Sequence, residues 1–532
     1  MTISLGQYTH VFNDWRLVNV AFLASVAFVL YLSTSRWFFD QEKRPPGPPR
    51  YFFGSNKATS GLHPSKAFTL LQRKYGSVVS FYQGQTLVVV LGTLKVATEL
   101  LEKRGSIYSS RPRSILASEI LSGGMRGVGM PYGTRWRNWR SLMHAGMSIE
   151  ASNGYKTLQS LESKILLGQL QTESDPRRYA SHCRRFAISI VFCVAYGRRV
   201  QNLNDPAIIS NLKTEECFTR TPGRYMVESW PILLYLPRFM QWFRHEAEER
   251  RKEDTKLYMS LVDEVRQRMA LGIATPSTAT RALEKQSEFG LNDVETAFAL
   301  SAPFAAGVGT TLAALDVFLL AMLHYPDVMR KAQEEIDSVV GSSRLPNFDD
   351  MESLPYIKAV IKETLRWRAI APIGVPHSVI EDDIYQTADN KMHIPTGSTV
   401  YANIYSMSKD EEAFPSPDEF LPERYIDVGK SASNSPHSTF FFGFGRRICP
   451  GMHVAQNSLY IVIARILWGF DILPTKNSNG EAVLPPADDF TGGLVVRPRP
   501  FLYTLKPRKG EEGHSIIGQE ARRAEEDAFA FM

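Results

Sequence analysis

Cysteine is scarce in this chain of 532 residues: there are four, Cys183, Cys193, Cys217 and Cys449. No two form a CxxC pair, which excludes zinc ribbons and thioredoxin-like redox motifs. An excess of one charge is nearly lacking too, since 61 basic and 55 acidic residues leave a formal charge of +6. No basic stripe carries interleaved aromatics, so nucleic acid is excluded as an expected partner. Apolar residues at 44% and charged residues at 22% exclude a largely disordered chain. Strongly polar residues are almost absent from Leu17 to Thr34 (LVNVAFLASVAFVLYLST), where Asn19 stands alone, and the run is just long enough to span a bilayer. No small-residue cleavage site follows it, which argues against a removed signal peptide. Arg36, Trp37, Lys43, Arg44 and Arg50 follow instead, a flank that keeps the rest cytoplasmic, although Arg16 on the other side lessens the asymmetry. Residues 1–35 therefore read as a membrane anchor. Length alone suggests three or four domains.

What is present centres on Phe442 to Gly451, which reads Phe-Gly-Phe-Gly-Arg-Arg-Ile-Cys-Pro-Gly. Cys-Pro-Gly by itself most often holds a small buried hydrophobe. The wider spacing is more restrictive, with Phe442, Gly445, Arg447, Cys449 and Gly451 set three, two, two and two residues apart. A thiolate in a glycine-rich loop, with backbone N–H groups free to face the sulfur, suits a metal that wants one soft anionic ligand. Arg447 offers a fixed cation to an anionic group on a cofactor. With Cys449 so used, three cysteines remain, an awkward number for a disulfide framework and one that fits a reducing compartment.

Other stretches carry weaker signals. Val78–Tyr82 and Thr86–Leu91 flank Gln83-Gly84-Gln85 as a hairpin, Leu94–Arg104 reads as a helix, and Arg113–Pro131 is glycine-rich and irregular. Trp136 and Arg140 lie four apart on one face of a helix starting near Thr134. Leu291–Leu323 is a long apolar helix interrupted by Pro303, Gly307 and Gly309. Pro231–Phe243 (PILLYLPRFMQWF) is unusually apolar for a connection between helices. Gly510–Met532 is charged and expected to be disordered.

The cysteine loop resembles the haem-binding loop of the cytochrome P-450 family, the haem-thiolate monooxygenases, whose matching cysteine is the axial iron ligand. Four further stretches resemble elements of that family in the same order: Trp136-x-x-x-Arg140, Ala306-Gly307-Val308-Gly309-Thr310-Thr311, Glu363-Thr364-Leu365-Arg366 and Phe420-Leu421-Pro422-Glu423-Arg424-Tyr425. The resemblance spans residues 45–505 and implies one mainly α body with small β-sheets, in place of several domains. The implied order is an anchor at 1–35, a monooxygenase domain at 36–505 and a tail at 506–532. It implies haem as cofactor, Cys449 as iron ligand, and Trp136, Arg140, His377, Phe442 and Arg447 around the haem. Thr310 matches the hydroxyl that helps deliver protons to oxygen. Gly309 departs from the pattern, because the acid or amide usual there is missing, and Asp293 and Glu295 lie several turns away. Glu363, Arg366 and Arg424 match a buried structural lock. The stretch 231–243 matches a region that roofs the pocket and dips into the membrane, and Pro45–Pro49 a stiff hinge. Implied partners are O2, an NADPH-dependent cytochrome P-450 reductase, helped by Arg135 and Arg137, and a lipophilic substrate. The stretch from Pro376 looks most like fungal members that tailor secondary metabolites, with a terpenoid as the first expected substrate. The expected location is the endoplasmic reticulum membrane, body in the cytosol. Two alternatives stand: a haem-thiolate isomerase or dehydratase needing neither O2 nor reductase, and a non-catalytic, membrane-tethered lipid-binding protein.

Overall fold

The computed structural model describes residues 44–49, 61–220, 226–228, 230–387, 390–426 and 438–528. The apolar run at Leu17–Thr34 and Arg50 lie outside the described residues. The helices that matter for the site are α1 (Pro64–Tyr75), α2 (Thr134–Met147), α3 (Lys156–Thr172), α4 (Tyr179–Tyr196), α5 (Pro206–Arg220), α6 (His245–Ala270), α7 (Asp293–Leu300), α8 (Ala302–His324), α9 (Pro326–Val339), α10 (Pro355–Trp367), α11 (Met452–Gly469) and α12 (Gly510–Asp527). The strands are β1 (Val78–Gln83), β2 (Thr86–Leu91), β3 (His377–Ser378), β4 (Asp383–Gln386), β5 (Lys391–Ile394), β6 (Thr399–Ala402), β7 (Phe470–Lys476), β8 (Ala482–Val483) and β9 (Tyr503–Pro507). The architecture is mainly helical with small sheets.

The hairpin forms as expected: Gly84 takes φ +61°, and β-branched residues of β1 and β2 pair antiparallel from Val78–Leu91 to Gln83–Thr86. The sheet order is β1-β2-β6-β3, with β6 parallel to β2. The proline hinge is docked rather than free. Ser80 donates its N–H to Pro46 O (2.8 Å) and its hydroxyl to Pro45 O (2.5 Å). Gly47 passes so close that a Cβ would lie 1.7 Å from Ser80 O, so only glycine fits.

The long apolar stretch forms two helices. An Asn292–Glu295 capping box starts α7, which ends at Leu300, and α8 begins with Pro303 in its first turn. The missing proline N–H and the clash of its ring with the preceding turn explain why the break falls there. By length and composition α7–α8 could cross a membrane, but 67% of its most apolar window is buried, as in a core helix. One contiguous cluster of buried side chains runs from Met130 to Ile517.

Two expectations need correction. Within Arg113–Pro131, Ile115–Leu121 form one wide helical turn that buries Ile115, Leu116, Ile120 and Leu121. The charged tail is not disordered over its described part. In α12, Gly513, Ile517, Ala521 and Ala524 are buried at helical spacing. Ala521 and Ile517 seat on glycines of α3 and α11: a Cβ on Gly168 would lie 2.5 Å from the Ala521 Cβ, and one on Gly469 would lie 3.1 Å from Ile517 Cδ1. Glu520 pairs with Lys164 (2.6 Å), and Arg508 donates to Leu467 O (2.8 Å). Small residues allow close helix approach, so a tail poor in large apolar residues still packs.

Candidate active site

The cysteine loop is shaped by its glycines. Gly443 and Gly445 take φ +89° and +54°, and a Cβ on Gly445 would lie 2.2 Å from Leu101 O. Cys449 N–H closes the loop on Phe442 O at 2.9 Å, and the half-buried Phe442 ring leans on Phe441. Burial pushes the Cys449 thiol up, while the Gly451 N–H and the charge of Arg140 pull it down. Those two influences stabilise a thiolate.

Around the loop the structure gathers four cationic or ionisable side chains. Arg447 donates to Ser109 O (2.7 Å), Gly127 O (3.1 Å) and Met130 O (2.7 Å), and its guanidinium lies 4.2 Å over the Trp136 ring. Arg140 donates to Ile448 O (2.7 Å), so the face of α2 carrying Trp136 and Arg140 meets the cysteine loop. His377 is buried and shares a 2.8 Å hydrogen bond with Tyr108 O, which makes Nδ1 the protonated nitrogen. Arg111, which sequence reasoning missed, donates to Val375 O (2.9 Å), Pro376 O (2.8 Å) and Val128 O (3.0 Å). Its only sequence signal was one basic residue in Ser109-Ser110-Arg111-Pro112-Arg113.

Among the described residues, the hydrogen bonds of these three arginines all go to backbone carbonyls. Burial lowers Arg111 to about 10 and, with the nearby Arg111 and Arg140 charges, Arg447 to about 9; burial also lowers Arg140. Burial and the charges of Arg111 and Arg447 drive His377 down to about 3, so its ring is neutral. Desolvated cations facing one another without a carboxylate are costly unless an anion joins them. A planar group with two carboxylates on one edge and a metal needing one thiolate meets both requirements. The residues fit haem.

Gly309 and Thr310 lie on α8. The Thr310 hydroxyl donates back to Ala306 O (2.7 Å), and a Cβ on Gly309 would have nothing within 4 Å. No carboxylate replaces the missing acid from the start of α7: Glu295 pairs with Arg135 (2.7 Å) and Asp293 with Arg266 (2.9 Å). Arg135 and Arg137 are both exposed, and Arg135 is engaged with α7.

The expected lock forms. Glu363 accepts from Arg366 Nε (2.6 Å) and Nη2 (2.8 Å), from Arg424 Nε (3.3 Å) and from Leu421 N–H (2.8 Å). Arg366 further donates to Ser408 O, Pro417 O and Glu419 O. It reaches the cysteine loop through rings: the guanidinium lies 5.4 Å from Phe414, whose ring is 5.8 Å from Phe440 at the loop's start.

The cytochrome P-450 family model matches residues 45–505. A cytochrome P-450 monooxygenase of Armillaria gallica is 36% identical over 521 residues, covering 96% of this chain and 98% of the relative. Monooxygenase 58 of Postia placenta is 38% identical, covering 91% and 93%. A zebra fish cytochrome P-450 structure with progesterone superposes with a TM-score of 0.70 at 22% identity, covering 84% of this chain and 100% of that one, a likeness of fold.

Proposed function

This chain belongs to the cytochrome P-450 family and is a haem-thiolate monooxygenase, and on that premise we propose that it is anchored in a membrane, takes electrons from an NADPH-dependent reductase, and hydroxylates or epoxidises a lipophilic small molecule, a terpenoid or other fungal secondary metabolite. The observation that carries the site assignment is the pairing of a thiol bearing an amide N–H on its sulfur with three half-buried guanidiniums that have no carboxylate among the described residues. Bound haem supplies O2 activation and transfer of one oxygen atom to the substrate. Cys449 holds the iron. Arg140 stabilises the thiolate charge, and the Cys449–Phe442 backbone bond fixes where the sulfur points. Arg111, Arg140 and Arg447 bind the haem carboxylates and so orient it, with Trp136 holding the Arg447 fork flat. A haem carboxylate near His377 would favour protonation of its free Nε2, which would then be a donor. Thr310 holds a proton on Oγ1, and the space beside Gly309 admits the water that feeds it.

Membrane attachment rests on two features. One is the apolar run at Leu17–Thr34. The other is the connection between α5 and α6, where Trp230, Ile232, Tyr235, Phe239 and Trp242 are 60–89% exposed beside Arg238. On this reading the body sits on the cytosolic face of the endoplasmic reticulum and takes lipid-borne substrates. The fungal relatives support the reaction type, since both are named monooxygenases.

The test is the absorption spectrum of the dithionite-reduced protein with and without carbon monoxide. A Soret band far to the red is expected, and folded Cys449→Ala should lose it. A Cys449→Ala protein that kept the band would overturn the assignment.

A further inference from the structure

Three of the four ionisable groups around the cysteine loop depend on one short segment, Arg104–Arg111. Arg111 belongs to it. Tyr108 O accepts from His377 (2.8 Å) and Ser109 O from Arg447 (2.7 Å). Those two carbonyls lie at the end of a single helical turn, Gly105–Tyr108, where no further turn supplies donors to them. One turn is weak by itself, since fixing its backbone costs more than its few hydrogen bonds gain. Asp383 of β4 holds this turn at both ends. Arg104 Nη1, just before it, donates to Asp383 Oδ1 (2.8 Å) and Oδ2 (2.9 Å), and Tyr108 OH, at its close, donates to Oδ2 (2.7 Å). Tyr108 is fully buried, and the Asp383 side chain is 11% exposed. Arg104 also reaches Ile384 O (3.1 Å), which ties its guanidinium to the strand itself. Main-chain bonds from Ser378 N–H to Ser110 O (2.9 Å) and from Ile380 N–H to Ile107 O (3.1 Å) set the segment beside β3. Neither of them bears on the Tyr108 or Ser109 carbonyl. Those two are oriented by the turn, and the turn by Asp383.

We infer that Asp383, acting through Tyr108, is a positioning residue for the haem carboxylates, because it fixes the two carbonyls that aim His377 and Arg447. This rests on the reading of His377 and Arg447 as haem-binding. With the phenol unheld, the turn can rotate its last carbonyls. The His377 ring and the Arg447 fork then move with them, since a desolvated donor left without its acceptor is costly. Arg447 keeps Gly127 O and Met130 O, so the His377 side yields first.

The experiment uses the haem-loaded protein, with two readouts: the bending modes of the haem carboxylates in resonance Raman spectra, and the rate of haem transfer to added apomyoglobin. The carbon monoxide band is read first in every variant. Tyr108→Phe and Asp383→Asn are each expected to keep that band, to shift the carboxylate modes, and to speed haem transfer by on the order of tenfold. The double variant should match Asp383→Asn alone, as two groups in one contact require. Gly168→Ala, which loosens the fold elsewhere, should leave the modes and the transfer rate at their wild-type values. Modes and transfer unchanged in band-positive Tyr108→Phe, or full additivity in the double variant, would overturn the inference. So would faster transfer without a shift of the modes, or the same changes in Gly168→Ala, since either marks general loosening. Loss of the band in folded Tyr108→Phe would move the role to the cysteine ligand and overturn it as well. Should Asp383→Asn not fold, Tyr108→Phe decides by the same two readouts. A wild-type protein without the red-shifted band would sink the functional reading itself, a result separable from all of these.

Discussion

Glu363→Gln is the perturbation that best isolates the buried lock. The carboxylate is fully buried and pairs with two guanidiniums, one of which, Arg366, is itself fully buried. The amide keeps the shape and still accepts from Leu421 N–H, but it removes the negative charge. Breaking a buried pair in this way costs about 3–5 kcal/mol. The three carbonyls around Arg366 place the cost in the lower half of that range. With an unfolding entropy of about 2.1 cal/mol/K per residue, the body at residues 45–505 gains roughly 1 kcal/mol/K, so Tm should fall by about 3–4 °C. The assay is thermal unfolding of the haem-loaded protein at fixed scan rate, with the carbon monoxide band measured before and after. Lys331→Ala, which breaks an exposed ion pair with Glu423, is the control and should leave Tm where it is. A Glu363→Gln protein no less stable than that control would refute the lock. Loss of the band before unfolding, through the Arg366–Phe414–Phe440 path, would show that the lock also fixes the cysteine loop.

Three more outcomes follow from the geometry. Gly168→Ala forces α12 away from α3 and should cost about 1–3 kcal/mol, read as a lower Tm with the carbon monoxide band intact. His377 has a folded value of about 3 against 6.5 unfolded, so its neutral form is favoured on folding. Stability should therefore fall as pH drops below 6.5, by up to about 5 kcal/mol near pH 3; His377→Gln should flatten that profile, and bound haem should lessen the slope. Gly309→Asp meets no neighbour within 4 Å at its Cβ and should fold normally. It is expected to raise product formed per NADPH consumed, and an unchanged ratio would show that water alone serves the proton route.

The sequence showed best what depends on fixed local spacing. Gly445 is dictated by the approach to Leu101 O, and Trp136 and Arg140 by sharing a helix face, so both are legible in the residue pattern alone. Arg111 is not. Its meaning comes from carbonyls far away in the chain, at Val375 and Pro376, and a lone arginine in a loop carries no spacing to betray that. The tail misleads for another reason. Its buried stripe is glycine, isoleucine and alanine, so its composition suggests disorder while the complementary surface lies in Gly168 and Gly469. The break before α8 is visible as Pro303, and the Asn292–Glu295 capping box separately marks the start of α7.

The docking of Pro45 and Pro46 on Ser80 bears on how the protein can be handled. β1 is the outermost strand of its sheet, and an outer strand with open backbone groups invites pairing with another molecule. The two prolines occupy Ser80 while offering no N–H of their own, so they end the sheet instead of extending it. A shortened form made to remove the apolar run should therefore keep Arg44 onward. Cutting at residue 50 would trade one source of self-association for another.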